Sequence, residues 1–282
     1  MIRFLAMLAV AASLAAGIAP PASADAAAGP KPARLTGWDW VIGTRPAGPP
    51  PRVAYLGLDA FDAPKGYIAK ARANGTRTWC YLSVGSVEEW RPDAARFEAL
   101  DKAERAAGRP AIIGRDYDGW PGERWLNVAR FRVFLPLLAA RMELCRDKGF
   151  DMVEFDNLDA YQANTGFRIT RSQTIAFAKA LATKARRLGL VPMQKNVPEL
   201  AATLEPHFGA LLFESCALYN FCPGGRRYVA AGKPVFDAEY PEDWKDAGRT
   251  FDRTAACRAA DKAGVDMIIK KLDLGPWIRR CP

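Results

Sequence analysis

A single histidine, His207, stands in 282 residues, and that scarcity closes several routes at once. Ser-His-Asp and Cys-His catalysis need an imidazole beside the nucleophile. The run Leu204-Glu205-Pro206-His207-Phe208 reads instead as a helix end, with no nucleophile motif around it. Histidine-rich metal sites are excluded with it, and the six cysteines, Cys80, Cys145, Cys216, Cys222, Cys257 and Cys281, show no zinc-site spacing. Neither a Gly-x-x-x-x-Gly-Lys phosphate loop nor a Gly-x-Gly-x-x-Gly turn after a strand is present, so no metal or cofactor is expected. The formal charge is +9, but the Lys and Arg are scattered, without a long run or an aromatic-interleaved patch. That pattern argues for general solubility and against nucleic acid as a partner. What chemistry the chain has must come from carboxylates.

The N-terminus reads Met1-Ile2-Arg3, an apolar stretch from Phe4 to Ala19, then Pro20-Pro21-Ala22-Ser23-Ala24. This is the pattern of a secretory signal peptide over residues 1–24. The stretch is short for a span and ends in prolines, so stable membrane insertion is not expected. Cleavage after Ala24 leaves 258 of the 282 residues, read as a flexible leader over 25–35 and one domain over 36–282. Export, extracellular or periplasmic, implies an oxidising compartment and disulfides. The cheapest pairings are Cys216 with Cys222 and Cys257 with Cys281, which leaves Cys80 with Cys145.

Apolar runs of strand length recur along the domain: Thr36 to Val41, Val53 to Leu58, Thr76 to Ser83, Asp151 to Phe155, Leu190 to Gln194, Ala210 to Phe213, Pro234 to Ala238 and Val265 to Lys270. Between them lie amphipathic stretches, Gly66 to Ala73, Phe131 to Asp147, Ser172 to Leu188, Val197 to Glu205, Gly224 to Ala231 and Arg253 to Ala263, most closed by a glycine such as Gly149 or Gly264. Eight apolar strands alternating with helices fit an α/β fold of the (β/α)8 TIM-barrel type. The segment Arg91 to Leu126, rich in Pro and Gly towards its end, reads as a long loop over one barrel face.

In such a barrel chemistry collects where strands end. Those ends carry Asp59, Tyr81, Asp156, the pair Lys195-Asn196, Glu214 and the pair Glu239-Tyr240. The fourth strand runs into Glu154-Phe155-Asp156-Asn157-Leu158-Asp159, which as an isolated segment would be a solvated turn or helix cap. Asp156 and Glu214 lie on alternate strands and can face each other across the mouth. Glycoside hydrolysis needs one carboxyl to protonate the leaving oxygen and another to attack or activate water, which makes Asp156 the candidate nucleophile and Glu214 the candidate acid. Leu211-Leu212-Phe213 before Glu214 place it in apolar surroundings, which would favour its protonated form; an ion pair with Lys195 is the competing role.

Tyr81-Leu82-Ser83-Val84-Gly85-Ser86-Val87-Glu88 with Trp90-Arg91, and Gly149-Phe150-Asp151 running on through Glu154 to Tyr161, resemble glycoside hydrolase family 114. Gly122-Glu123 with Trp125-Leu126, Thr165-Gly166-Phe167, Lys195-Asn196, Glu214 with Cys216, and Gly232 to Phe236 with Glu239-Tyr240 follow in the order of that family. The resemblance implies a barrel and endo-acting cleavage of α-1,4-linked galactosamine polymers, including partly N-acetylated ones. Matched by motif, it puts the catalytic pair on Asp156 and Glu214, and a substrate groove on Asp59, Tyr81, Lys195, Asn196, Tyr219 and Glu239. The chain departs from the family pattern at Asn127 and at Phe213 and Ser215, which flank Glu214.

Glu154, Asn157 and Asp159 complete the expected site, where the spare acids would hold sugar hydroxyls or a protonated amine. Among the tryptophans Trp38 and Trp90 adjoin strand ends and are the preferred stacking residues, ahead of Trp40 and Trp120. The partner is therefore a polysaccharide. A non-catalytic carbohydrate-binding barrel and an α-glycosidase for another sugar stand as alternatives.

Overall fold

The computed structural model describes residues 35–282; the signal peptide and nearly all of the leader lie outside the described residues. All eight expected strands form: β1 Trp38–Val41, β2 Tyr55–Asp59, β3 Arg77–Ser83, β4 Met152–Asp156, β5 Val191–Lys195, β6 Ala210–Glu214, β7 Val235–Glu239 and β8 Asp266–Ile269. They pair in parallel in that order. The helices are α1 Lys65–Ala73, α2 Ala94–Ala106, α3 Phe131–Lys148, α4 Arg171–Arg187, α5 Ala201–Leu204, α6 Arg226–Ala230, α7 Pro241–Asp246 and α8 Arg253–Ala263. Gly149 and Gly264 close α3 and α8 at φ 91° and 74°, the left-handed cap that glycine takes without steric cost.

Parallel strands covered on both faces bury two sets of side chains. The inner set is a stack in which Trp38, Trp79 and Phe236 meet at ring-centroid distances of 5.1–5.6 Å. Gly57 makes that stack possible, since a Cβ there would lie 2.3 Å from the Trp79 ring. The outer set packs strands on helices, with Phe131 and Phe134 on α3 against Phe177 on α4.

β8 and β1 share no ladder, and the C-terminal segment fills the seam. A short β9, Arg279–Arg280, runs antiparallel to β8, and Arg280 donates to Trp38 O on β1. The buried Lys270 ammonium joins Asp39 (3.0 Å) to Gly275 O (2.7 Å) across the same gap. Three disulfides form, Cys80–Cys145, Cys216–Cys222 and Cys257–Cys281, the pairing expected from the sequence. Among the described residues no helix is long and apolar enough to cross a membrane.

Arg91 to Leu126 is not a loop. It contains α2 and two strands, Ile113–Asp116 and Glu123–Leu126, which pair with Ser86–Glu88 in a three-stranded antiparallel sheet. The glycines that suggested a loop are turn residues between these strands, Gly119 and Gly122 at φ 85° and 84°. Helix α2 escaped notice because half its buried face is acidic. Ala94 and Phe97 share that face with Asp101 and Glu104, whose carboxylates take the Ile112 and Ile113 N–H groups and the Arg109 and Arg130 guanidinium groups.

Candidate active site

A cleft of about 610 Å³ opens at the C-terminal ends of the strands, the face on which barrel enzymes build their sites. Side chains alternate along a strand, and the inward set at this level is Tyr81 on β3, Glu154 and Asp156 on β4, Lys195 on β5, Glu214 on β6 and Tyr240 just past β7. Lys195, 1% exposed, is the centre. Its ammonium lies 3.1 Å from Asp156, 2.9 Å from Glu214 and 3.4 Å from Glu154, with the Trp40 ring 4.6 Å away on its other side. Burial alone would lower the pKa of Lys195, but the facing carboxylates Asp156, Glu214 and Glu154 hold it well above its ordinary value.

Asp156 receives a second donor, Tyr81 Oη at 3.0 Å. Its carbonyl accepts from the Val84 and Gly85 N–H groups. The chain then turns sharply, with Asn157 at φ 63° and its amide donating to Ser83, Ser86 and Glu123 at 2.9–3.0 Å. The inserted sheet thus grips the residue after Asp156. Gly85 is required there, because a Cβ would fall 1.8 Å from Asn157 O.

Glu214 is not in the apolar surroundings that its sequence neighbours suggested. Leu211 and Phe213 alternate away from it into the outer core, while its carboxyl meets Lys195 and accepts from Tyr240 Oη at 2.6 Å. Its N–H donates to Asn196 Oδ1 at 2.9 Å, so the Lys195-Asn196 dipeptide holds Glu214 by side chain and backbone together.

Of the residues expected to contact a ligand, Tyr81, Asn157, Asp159, Lys195 and Asn196 line this cleft with Asp156 and Glu214. Others do not. Trp38 is fully buried at the far end of β1, its indole N–H on Asp266 O; it packs the barrel and offers no face to a sugar. Asp59 is buried, paired with Arg91 at 2.8 Å and capped by the Phe61 and Asp62 N–H groups. Glu154 lies beneath the cleft floor against Trp79 Nε1, and burial, with Asp156 adding to it, pushes its pKa up to about 8. Glu239 falls on the outward face of β7, where it accepts from the Ala217 N–H and from Trp244 Nε1. Tyr219 is 61% exposed but outside the cleft wall.

Tyr240 and Glu123 stand in motifs noted in the sequence, but neither is given a site role there. Tyr240, one residue past Glu239, takes the opposite face and turns inward to Glu214. Glu123, on the inserted sheet, faces the cleft with its pKa raised by burial to about 7. Asp159 is likewise raised, by burial and then by Asp156, to about 6. Trp90 and Trp120, each about half exposed at 52% and 51%, stand on the wall built by the insertion. Seven carboxyl groups and two cationic side chains line the cleft.

Among the described residues, the one cluster with ligand atoms close enough for a metal ion is Cys216, Asp237 and Glu239. It does not suit one, because the Cys216 sulfur is in a disulfide and carboxyl oxygens of both acids are already taken by N–H groups.

The family model of glycoside-hydrolase family GH114 matches residues 19–282. Aspergillus fumigatus Ega3, crystallised with galactosamine, superposes with a TM-score of 0.76 at 30% identity, over 90% of this chain and 98% of its own. The glycoside hydrolase domain of PelA from Pseudomonas aeruginosa shares the fold at a TM-score of 0.59 and 18% identity, over 87% and 98% of the two chains. An uncharacterized protein of Deinococcus radiodurans is 26% identical over 190 residues, 61% of this chain and 58% of its own length.

Proposed function

The chain belongs to glycoside-hydrolase family GH114 and is a glycosidase, and from that premise we propose that it cleaves α-1,4-linked galactosamine or N-acetylgalactosamine polymers at internal bonds, with Asp156 as nucleophile and Glu214 as acid and base. The observation that carries this reading is the bridging of Asp156 and Glu214 by Lys195, at 3.1 and 2.9 Å. Through that ammonium the nearest oxygens of the two carboxyls are no more than about 6 Å apart, so both can flank one glycosidic bond. Retention, through a covalent glycosyl-enzyme, is the route proposed.

Asp156, fixed by Tyr81 and Lys195 and by the turn at Asn157, attacks the anomeric carbon. Glu214 gives a proton to the leaving oxygen, then takes one from the water that releases the sugar. Burial raises the pKa of Glu154 to about 8 and favours its neutral form, which leaves more of the Lys195 charge to the working pair.

The surplus of carboxyl groups in the cleft suits a substrate bearing protonated amines despite the basic surface, because a ligand meets the local field. Trp90 and Trp120 offer ring faces to sugars further along the chain. The three disulfides fit an oxidising, extracellular or periplasmic location.

Digestion of deacetylated and acetylated α-1,4-galactosamine polymers beside neutral α-galactans tests the reading. Shortening of the amino-sugar polymers is expected; cleavage of the galactan alone would transfer the activity to another sugar, and no cleavage of any amino-sugar polymer would refute it.

A further inference from the structure

Two acids that the mechanism does not use, Asp237 and Glu239, are fully buried on the outward face of β7. Burial pushes both carboxyls above the ordinary range, and an oxygen of each lies within 4.8 Å of the other. Desolvating such groups is costly, and apolar side chains of the same size would fill the space under a helix at less cost. What the acids do that apolar residues cannot is accept hydrogen bonds. Asp237 takes the Cys216 N–H at 3.0 Å, and Glu239 takes the N–H groups of Ala217 and Leu218 at 2.6 and 3.4 Å.

These are three successive backbone groups, beginning two residues after Glu214. The turn they hold starts at Ser215, forced to φ 55°, whose own N–H donates to Ala238 O on β7. Trp244 Nε1 fixes the other oxygen of Glu239 at 2.6 Å. The neighbouring residue, Tyr240, turns to the inner face and donates to Glu214 itself. The end of β7 therefore holds Glu214 from both sides of the sheet, its carboxyl through Tyr240 and its following backbone through Asp237 and Glu239.

We propose that Asp237 and Glu239 are positioning residues for Glu214, acting through the 216–218 turn, and that Glu239 touches no sugar. The proposal rests on Glu214 being the general acid. A misplacement of about 1 Å at a reacting group can cost about a hundredfold in rate, and the loss should fall on the step that uses the acid.

The test compares galactosamine oligomers carrying an alkyl aglycone, which needs protonation to leave, with the same oligomers carrying a dinitrophenyl aglycone, which does not. For Glu239→Gln we expect kcat/KM to drop at least about tenfold on the alkyl substrate and by less than about threefold on the dinitrophenyl one, a smaller copy of the loss of a general acid. Equal loss on both substrates would overturn the proposal, since a sugar contact or a general structural role gives that result. Glu214→Gln is run beside it: a selective loss on the alkyl substrate upholds its role as acid, and no selectivity shows that the underlying reading, rather than the positioning, has failed. Should Glu239→Gln not fold, Asp237→Ala, which removes the acceptor of the Cys216 N–H, carries the same comparison.

Discussion

Lys195 Nζ lies 2.9 Å from Glu214 Oε2, and the same ammonium holds Asp156 at 3.1 Å. Removing one partner of a buried ion pair strands the others at a cost of about 3–5 kcal/mol. Lys195→Met should therefore lower Tm by several degrees at pH 7 and reduce kcat at least about a hundredfold. Lowering the pH should recover part of the Tm, because protonation of the stranded carboxyls removes their repulsion. Thermal unfolding across pH, with kcat in parallel, checks this; an unchanged Tm and kcat would remove Lys195 from the centre.

Glu154 gives a prediction of definite sign. Burial lifts its pKa from 4.5 in the reference state to about 8 in the folded protein, so its contribution to stability is complete below pH 4.5 and is lost as pH rises towards 8. Glu154→Gln cannot ionise and escapes that loss. The Tm of the variant relative to the parent should rise between pH 6 and pH 9; a constant difference would contradict the assignment.

Trp90 and Trp120 stand half exposed on the cleft wall. If they carry distant sugars, Trp120→Ala should raise KM on long polymers about tenfold, the order of one aromatic contact, and leave the shortest cleavable oligomer unaffected. Kinetics against chain length would show it. Equal effects at all lengths would mean that the ring only supports the wall.

Two glycines separate fold from function. Gly57→Ala drives a Cβ to 2.3 Å from the Trp79 ring and Gly85→Ala drives one to 1.8 Å from Asn157 O. The first overpacks the barrel and should cost about 1–3 kcal/mol or more of stability. The second pushes on the turn beside Asp156, and its loss of kcat should exceed what its change in Tm accounts for. Denaturation midpoints and kcat measured on both variants test the contrast.

The strands were legible because parallel strands covered on both faces read as apolar runs, and their helices end at glycines. That same double burial hid which face each residue takes. In Val235-Phe236-Asp237-Ala238-Glu239-Tyr240 both faces are buried, so no polar alternation marks Tyr240 as inward and Glu239 as outward, and the rim acid was read as a sugar contact. Depth along the barrel was equally hidden. Trp38 and Trp40 share a face of β1, yet only Trp40 reaches Lys195. Helix α2 of the insertion was hidden for a third reason: its buried face carries Asp101 and Glu104, so its periodicity is half polar. Asp156, Lys195, Asn196 and Glu214 could be placed together because each ends or directly follows a strand, where topology fixes position without knowledge of packing.

The most direct measurement is the product profile of the purified protein on α-1,4-linked galactosamine oligomers, with Asp156→Asn and Glu214→Gln alongside and binding of the same oligomers followed by calorimetry. The parent should yield shorter oligomers from internal cleavage, and both variants should bind with similar affinity while turnover falls at least about a hundredfold. Intact oligomers after incubation with the parent, or products from Asp156→Asn at the parent's rate, would contradict the assignment of Asp156 and Glu214 as the working pair.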